Sequence, residues 1–225
     1  MKPPAILFDL DGTLVDSVYY HVLAWREVLA DAGIELEVWR IHRRIGMSGG
    51  LFAQALLRET GHALDRERID GLQRSHAVAY HAFAGRIRPL PGACELLERL
   101  TALEVPWAIA TSGRLESASF GLTALGVDGK IPVITRDLVP HAKPDPDLFL
   151  EAARRLGAEI TESVVVGDSV WDLLAARRAR ALGVGLLSGG YGEEELTKAG
   201  AYRVYENPRD LLRHLDEVGV RALEA

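Results

Sequence analysis

The chain has 225 residues, 48% of them hydrophobic and 26% charged. That suits one fair-sized domain, or a core domain carrying an insertion, and excludes a disordered or fibrous protein. Its 26 Lys and Arg stand against 32 Asp and Glu, a net charge of −6, with no basic run long enough to expect nucleic acid as a partner.

The single cysteine, Cys94, cannot form an intramolecular disulfide and reads as a small buried residue of a helix. The start of the chain carries no apolar run of signal or membrane length, so a cytoplasmic location without membrane contact is expected.

In chain order, residues 5–8 form a short apolar run predicted to be a strand, ending in Asp9-Leu10-Asp11-Gly12-Thr13. From 16 to 88 no convincing strand occurs. A first helix with Val18, Val22, Trp25 and Leu29 on one face stops at Gly33, and further helices are predicted at 35–44, 51–60 and 65–83. Two linkers, near 15–17 and 86–91, would tie this insertion to the rest. From 89 onward, helices at 92–103, 115–125, 145–156 and 170–181 alternate with apolar strands at 107–110, 164–166 and 184–187. Weaker strands are expected near 131–134 and 201–204. Fully apolar strands spaced by helices mean parallel strands buried on both faces, hence a Rossmann-like doubly wound α/β sheet. The predicted division is a core of 1–15 and 89–225 and a small all-helical domain of 16–88.

Chemistry-bearing residues gather at the predicted strand ends. Asp9 and Asp11 follow the first strand, Thr111-Ser112-Gly113 the second, and Gly167-Asp168-Ser169-Val170-Trp171-Asp172 the third; Lys143 stands in His141-Ala142-Lys143-Pro144 between them. Ligand sites of open α/β sheets lie beyond the carboxyl ends of the strands, so charges there point to function.

Taken in this order and spacing, the four strings closely resemble the motifs of the haloacid dehalogenase superfamily, over nearly the whole chain, and the insertion resembles that family's helical cap. The resemblance implies hydrolysis of a small phosphorylated metabolite, with phosphoglycolate or a sugar phosphate as candidates, by a monomer or homodimer. It implies that Asp9 is the nucleophile, passing through an aspartyl-phosphate, and that Asp11 is the general acid and base. Asp9, Asp168 and the Asp11 carbonyl offer hard oxygens suited to Mg²⁺. Lys143, Thr111 and the amides of Leu10 and Ser112 would hold the phosphoryl oxygens, and Asp172 would orient Lys143 or a metal-bound water. Asp11 argues for phosphoryl chemistry, since the dehalogenases that name the family lack it.

In the insertion, Ile45-Gly46-Met47-Ser48-Gly49-Gly50 resembles a substrate-specificity loop, which makes Gly46 a candidate contact. The preceding Arg40, Arg43 and Arg44 read as a solvated helix face. His21 and Trp25 match a His-x-x-x-Trp pattern of sugar-phosphate relatives, leaving substrate contact and plain packing both open for His21. His76 and His81 are spaced wrongly for a zinc pair, and Glu193, Glu194 and Glu195 read as first-turn acidic residues of a helix. The alternative enzyme is a β-phosphoglucomutase-like mutase. Such mutases carry an Arg where this chain has Gly49, and a Lys-Asn pair where it has Arg114-Leu115. Arg114 is therefore the one cation left to bind substrate at that place, with Arg43 or Arg44 as conceivable replacements. A regulatory module that has lost turnover is opposed by the intact set Asp9, Asp11, Thr111, Lys143 and Asp168.

Overall fold

The computed structural model describes residues 3–47, 49–61, 65–127 and 129–221; Met1, Lys2 and Ser48 of the loop discussed above lie outside them. The first strand, β1 (Ile6–Phe8), is buried on both faces. A tight turn follows in which Thr13, Leu14 and Val15 all donate backbone bonds to the Leu10 carbonyl. The chain then leaves through β2 (Val15–Asp16) and comes back through β3 (Arg88–Pro89), and these two pair antiparallel. The segments read as linkers are thus bonded to each other.

Between them, among the described residues, lie four α-helices, α1 (Val18–Asp31), α2 (Val38–His42), α3 (Gly49–Thr60) and α4 (Arg66–His81). They build a hydrophobic core of their own from residues that include Val22, Trp25, Leu29, Ile41, Phe52 and Leu72. The spacing of Val22, Trp25 and Leu29 places them on one face of α1, which is why the insertion packs inward on itself. Asp65 starts α4 by accepting a bond from the Arg68 amide. The helix expected over 35–44 shortens to α2, because Glu37 is extended before it and the chain turns through Gly46 (φ +92°) after it.

The remainder alternates as α5 (Ala93–Ala102), β4 (Trp107–Ala110), α6 (Leu115–Leu125), β5 (Val133–Ile134), α7 (Asp147–Leu156), β6 (Val164–Gly167), α8 (Val170–Ala179), β7 (Leu182–Leu186), α9 (Glu193–Ala199), β8 (Ala201–Tyr205) and α10 (Pro208–Arg213). The sheet order is β5-β4-β1-β6-β7-β8 with every neighbouring pair parallel. Strand residues alternate between faces as the pleat requires. Ile6, Phe8 and Ile109 join a core with Leu96, Leu100 and Ala118, while Leu7, Ala108 and Val165 pack against Phe149, Ala152 and Ala176. This is a doubly wound α/β sheet covered on both faces, with an all-helical insertion after its first strand. α8 stops two residues earlier than expected because Arg180 adopts a left-handed conformation (φ +62°). Cys94 is half-buried on α5. Among the described residues no helix is long and apolar enough to cross a membrane.

Candidate active site

The order of strands fixes where a site can form. After β5 the chain crosses back to lay β6 on the other side of β1, so the loops after β4, β1 and β6 diverge around one crevice. Asp9 stands at the end of β1, its amide held by the Val166 carbonyl (2.9 Å). Lys143, wholly buried, brings its ammonium against Asp9 Oδ1 and within 2.8 Å of Asp172 Oδ1. Asp172 is positioned by the start of α8, where its Oδ2 accepts from the Ser169 amide (3.1 Å) and hydroxyl (2.5 Å). Asp168 Oδ1 accepts from the Thr13 hydroxyl (2.9 Å).

Two glycines exist to let this happen. A Cβ on Gly12 (φ +83°) would lie 2.6 Å from Asp168 Oδ2, and one on Gly189 would lie 1.7 Å from it.

Asp9, Asp168 and Asp172 are all buried, with ligand oxygens within 4.8 Å of one another, and the one buried ammonium, of Lys143, contacts Asp9 and Asp172. The charge does not balance. Burial, reinforced by Asp172 and Asp11 against the pull of Lys143, pushes the Asp9 carboxyl up to about 7. Burial and the neighbouring carboxylates also hold Asp168 well above the ordinary range. For Lys143, burial opposes the charged form, but Asp172 and Asp9 outweigh it and the net shift is upward. A cluster of anionic oxygens with surplus negative charge and no softer donor fits a hard divalent cation.

Asp11 lines, together with Asp9, a cavity of about 450 Å³. Its Oδ1 accepts from the Ser17 hydroxyl (2.6 Å) and lies 3.3 Å from His21 Nε2. Burial raises the Asp11 carboxyl, but His21 and Ser17 overcome it and its net shift is downward. His21 in turn stacks on Tyr80 and meets His76, which no sequence spacing indicated; α1 and α4 bring them together across 55 positions. Thr111, buried after β4, accepts from the Gly113 amide at 3.0 Å, and the Leu10 and Ser112 amides belong to the loops after β1 and β4.

The loop after α2 touches the core. The Ser112 hydroxyl donates to the Gly46 carbonyl (2.8 Å), and the Arg43 carbonyl accepts from Trp171 Nε1 (3.2 Å) and the Tyr191 hydroxyl (2.9 Å). The reading of this basic run as a solvated face therefore needs correction. Arg40 and Arg43 are both partly exposed, Arg40 pairing with Glu37 and Glu59 and Arg43 with Glu195 over the Tyr191 ring, whereas Arg44 is only 11% exposed, lines the cavity and pairs with Glu59. The core loops that Arg43 meets lie some 150 residues along the chain, beyond the reach of local patterning. Arg114 lies at the cavity rim, exposed and paired with Asp137 at 3.3 Å. Glu195 turns back to accept from the Gly192 amide, as expected of a first-turn acid.

Comparison with known proteins agrees with this geometry. A family model described as haloacid dehalogenase-like hydrolase matches residues 3–180. A solved hydrolase from Pseudomonas syringae superposes with a TM-score of 0.95 at 55% identity, covering 96% of this chain and 100% of that one. Phosphoglycolate phosphatase of Caulobacter vibrioides is 32% identical over 87% of this chain and 84% of its own. Hexitol phosphatase A of Escherichia coli is 31% identical over 80% and 81%. With its site at the ends of β1, β4 and β6, the chain belongs to the haloacid dehalogenase-like hydrolases.

Proposed function

We propose that this enzyme hydrolyses a small phosphomonoester, a phosphoglycolate or sugar phosphate, through an aspartyl-phosphate on Asp9. Its core would comprise residues 1–15 and 89–225 and its cap residues 16–88. The observation that carries the reading is the buried cluster of Asp9, Asp168, Asp172 and Lys143 at a cavity lined by Asp9 and Asp11. Asp9, Asp168 and the Asp11 carbonyl would hold Mg²⁺, which when bound supplies the positive charge that lets an anionic carboxylate meet an anionic ester.

The chain's own groups do the rest. Lys143 holds Asp9 in place through Oδ1, and Asp9 lines the cavity that would receive the ester. Thr111 and the loop amides of Leu10 and Ser112 donate to the phosphoryl oxygens, where charge grows in the transition state. Asp9 forms the new O–P bond as the ester O–P bond breaks, and Asp11 hands its proton to the departing alkoxide. A phosphate dianion beside Asp11 raises its proton affinity, so the acid form is available when substrate is bound. Water then attacks phosphorus, Asp11 takes its proton, and Asp9 is released. The cap loop around Gly46 is held to the Ser112 hydroxyl and lines the cavity, where it would limit the access of bulk water.

Hydrolysis is favoured over mutase chemistry by the pairing of two of the arginines that line the cavity, Arg44 with Glu59 and Arg114 with Asp137, while Arg136 donates to the Val139 carbonyl and Arg66 stands on α4. The test is a panel of phosphorylated metabolites assayed for phosphate release with Mg²⁺ and with chelator. The proposal expects Mg²⁺-dependent release from small esters; no release from any member of the panel would overturn it.

A further inference from the structure

The Asp11 carboxylate is the first member of a chain of bonded groups. His21 Nε2 lies 3.3 Å from Asp11 Oδ1, and His21 Nδ1 lies 3.2 Å from His76 Nε2. With both rings neutral, His21 donates to Asp11 through Nε2–H and accepts from His76 Nε2–H through Nδ1. Each ring is also clamped by stacking. His21 lies on Tyr80 with centroids 3.8 Å apart and planes within 6°, and His76 lies on Trp25 at 4.3 Å and 17°. Tyr80 is itself buried. The imidazole that meets Asp11 is therefore fixed in rotation by its stack and in hydrogen-bonding sense by His76.

We propose that His76 is a positioning residue for the acid and base Asp11, acting through His21 to aim the Asp11 carboxyl at the leaving oxygen and later at water. The inference rests on the phosphatase reading above. It has a chemical signature, because only one half of the first step needs a proton. Departure of an alkoxide requires transfer of the Asp11 proton as the O–P bond breaks, whereas 4-nitrophenolate departs unprotonated. Attack of water on the aspartyl-phosphate needs Asp11 as base whatever the ester was.

The experiment uses the full chain with Mg²⁺, wild type, His76→Phe and His76→Gln. Phe keeps the stack on Trp25 without a donor, and Gln keeps a donor near the Nε2 position. The probes are 4-nitrophenyl phosphate and whichever of phosphoglycolate and glucose 6-phosphate the wild type turns over faster. For His76→Phe the alkyl kcat/KM should fall about tenfold or more, a fraction of what general acid catalysis supplies. Its aryl kcat/KM should stay within about threefold, while a burst of nitrophenolate precedes a slowed steady state, because dephosphorylation still needs the aimed base. His76→Gln should restore most of the alkyl rate.

Equal losses on both esters, a raised alkyl KM at unchanged kcat, wild-type kinetics in both variants, or collapse of both folds by circular dichroism would each overturn the assignment. A wild type that releases phosphate from neither ester would instead remove the phosphatase reading, and this inference with it.

Discussion

Replacing Lys143 with Met tests how the buried charges are balanced. The ammonium is fully buried, contacts Asp9 and lies 2.8 Å from Asp172. Met is close in volume, so the main effect is electrostatic: two buried carboxylates lose their shared partner. Removing one partner of a buried pair costs about 3–5 kcal/mol. For a chain of this length that is about 6–20 °C in Tm. A typical stability of about 5–15 kcal/mol leaves the variant folded but weakened. Urea unfolding at pH 8 in chelator, followed by circular dichroism, reads the loss. Adding Asp172→Asn removes one orphaned charge while its amide oxygen still accepts from the Ser169 amide. The double variant should recover roughly half of the loss and no activity. If Lys143→Met alone stays within about 0.5 kcal/mol of wild type, as an ordinary surface change would, the charge-balance argument is wrong.

Three further outcomes are expected. Asp9 is pushed up to about 7 and Asp168 also upward, relative to carboxylates that titrate near 4 when unfolded. Their contribution to metal-free stability is therefore present below about pH 4 and lost as pH rises through about 7. Buried His76, pushed down, contributes the opposite way towards pH 6.5, so the test is the difference between wild type and Asp9→Asn: wild-type Tm in chelator should fall relative to the variant from pH 5 to pH 8, Mg²⁺ at a hundredfold over its Kd should add about 2.7 kcal/mol to wild type at pH 8, and a wild-type Tm that climbs relative to the variant would contradict this. Gly189→Ala drives a methyl into Asp168, so titration of activity with Mg²⁺ should show affinity weakened about tenfold or more, as for lost ligand support, and unchanged affinity would show that the loop gives way instead. Conversion of β-glucose 1-phosphate to glucose 6-phosphate should be negligible even with a bisphosphate primer, and primed isomerisation faster than hydrolysis would replace the phosphatase reading with the mutase one.

Much of the fold was legible because parallel strands covered on both faces read as unbroken apolar runs. The same property hid which side each residue faces: nothing in Ile6-Leu7-Phe8 tells that Leu7 packs away from its neighbours. The strand ends were legible because Asp9, Asp168 and Lys143 are charges where an apolar core should continue. His76 was not, because its partner His21 is set by the packing of α1 on α4 and leaves no spacing signature. Arg43 and Arg44 were misread for a related reason, since a charged helix end looks solvated until Tyr191 and Glu195 of the core pack against Arg43 and Glu59 of α3 pairs with Arg44. The ends of α2 and α8 were set by Gly46 and by a left-handed arginine, and no rule of composition marks Arg180 for that conformation.

The central claim is that Asp9 carries the phosphoryl group. Wild type and Asp9→Asn are mixed with an excess of 4-nitrophenyl phosphate and Mg²⁺, quenched in acid within the first turnover, digested, and mapped by mass spectrometry. The account predicts one phosphoryl group on the wild-type peptide containing Asp9, removable by hydroxylamine as an acyl phosphate is, and none in the folded but inactive Asp9→Asn. A phosphorylated peptide elsewhere in the chain, or sustained turnover by Asp9→Asn, would contradict it.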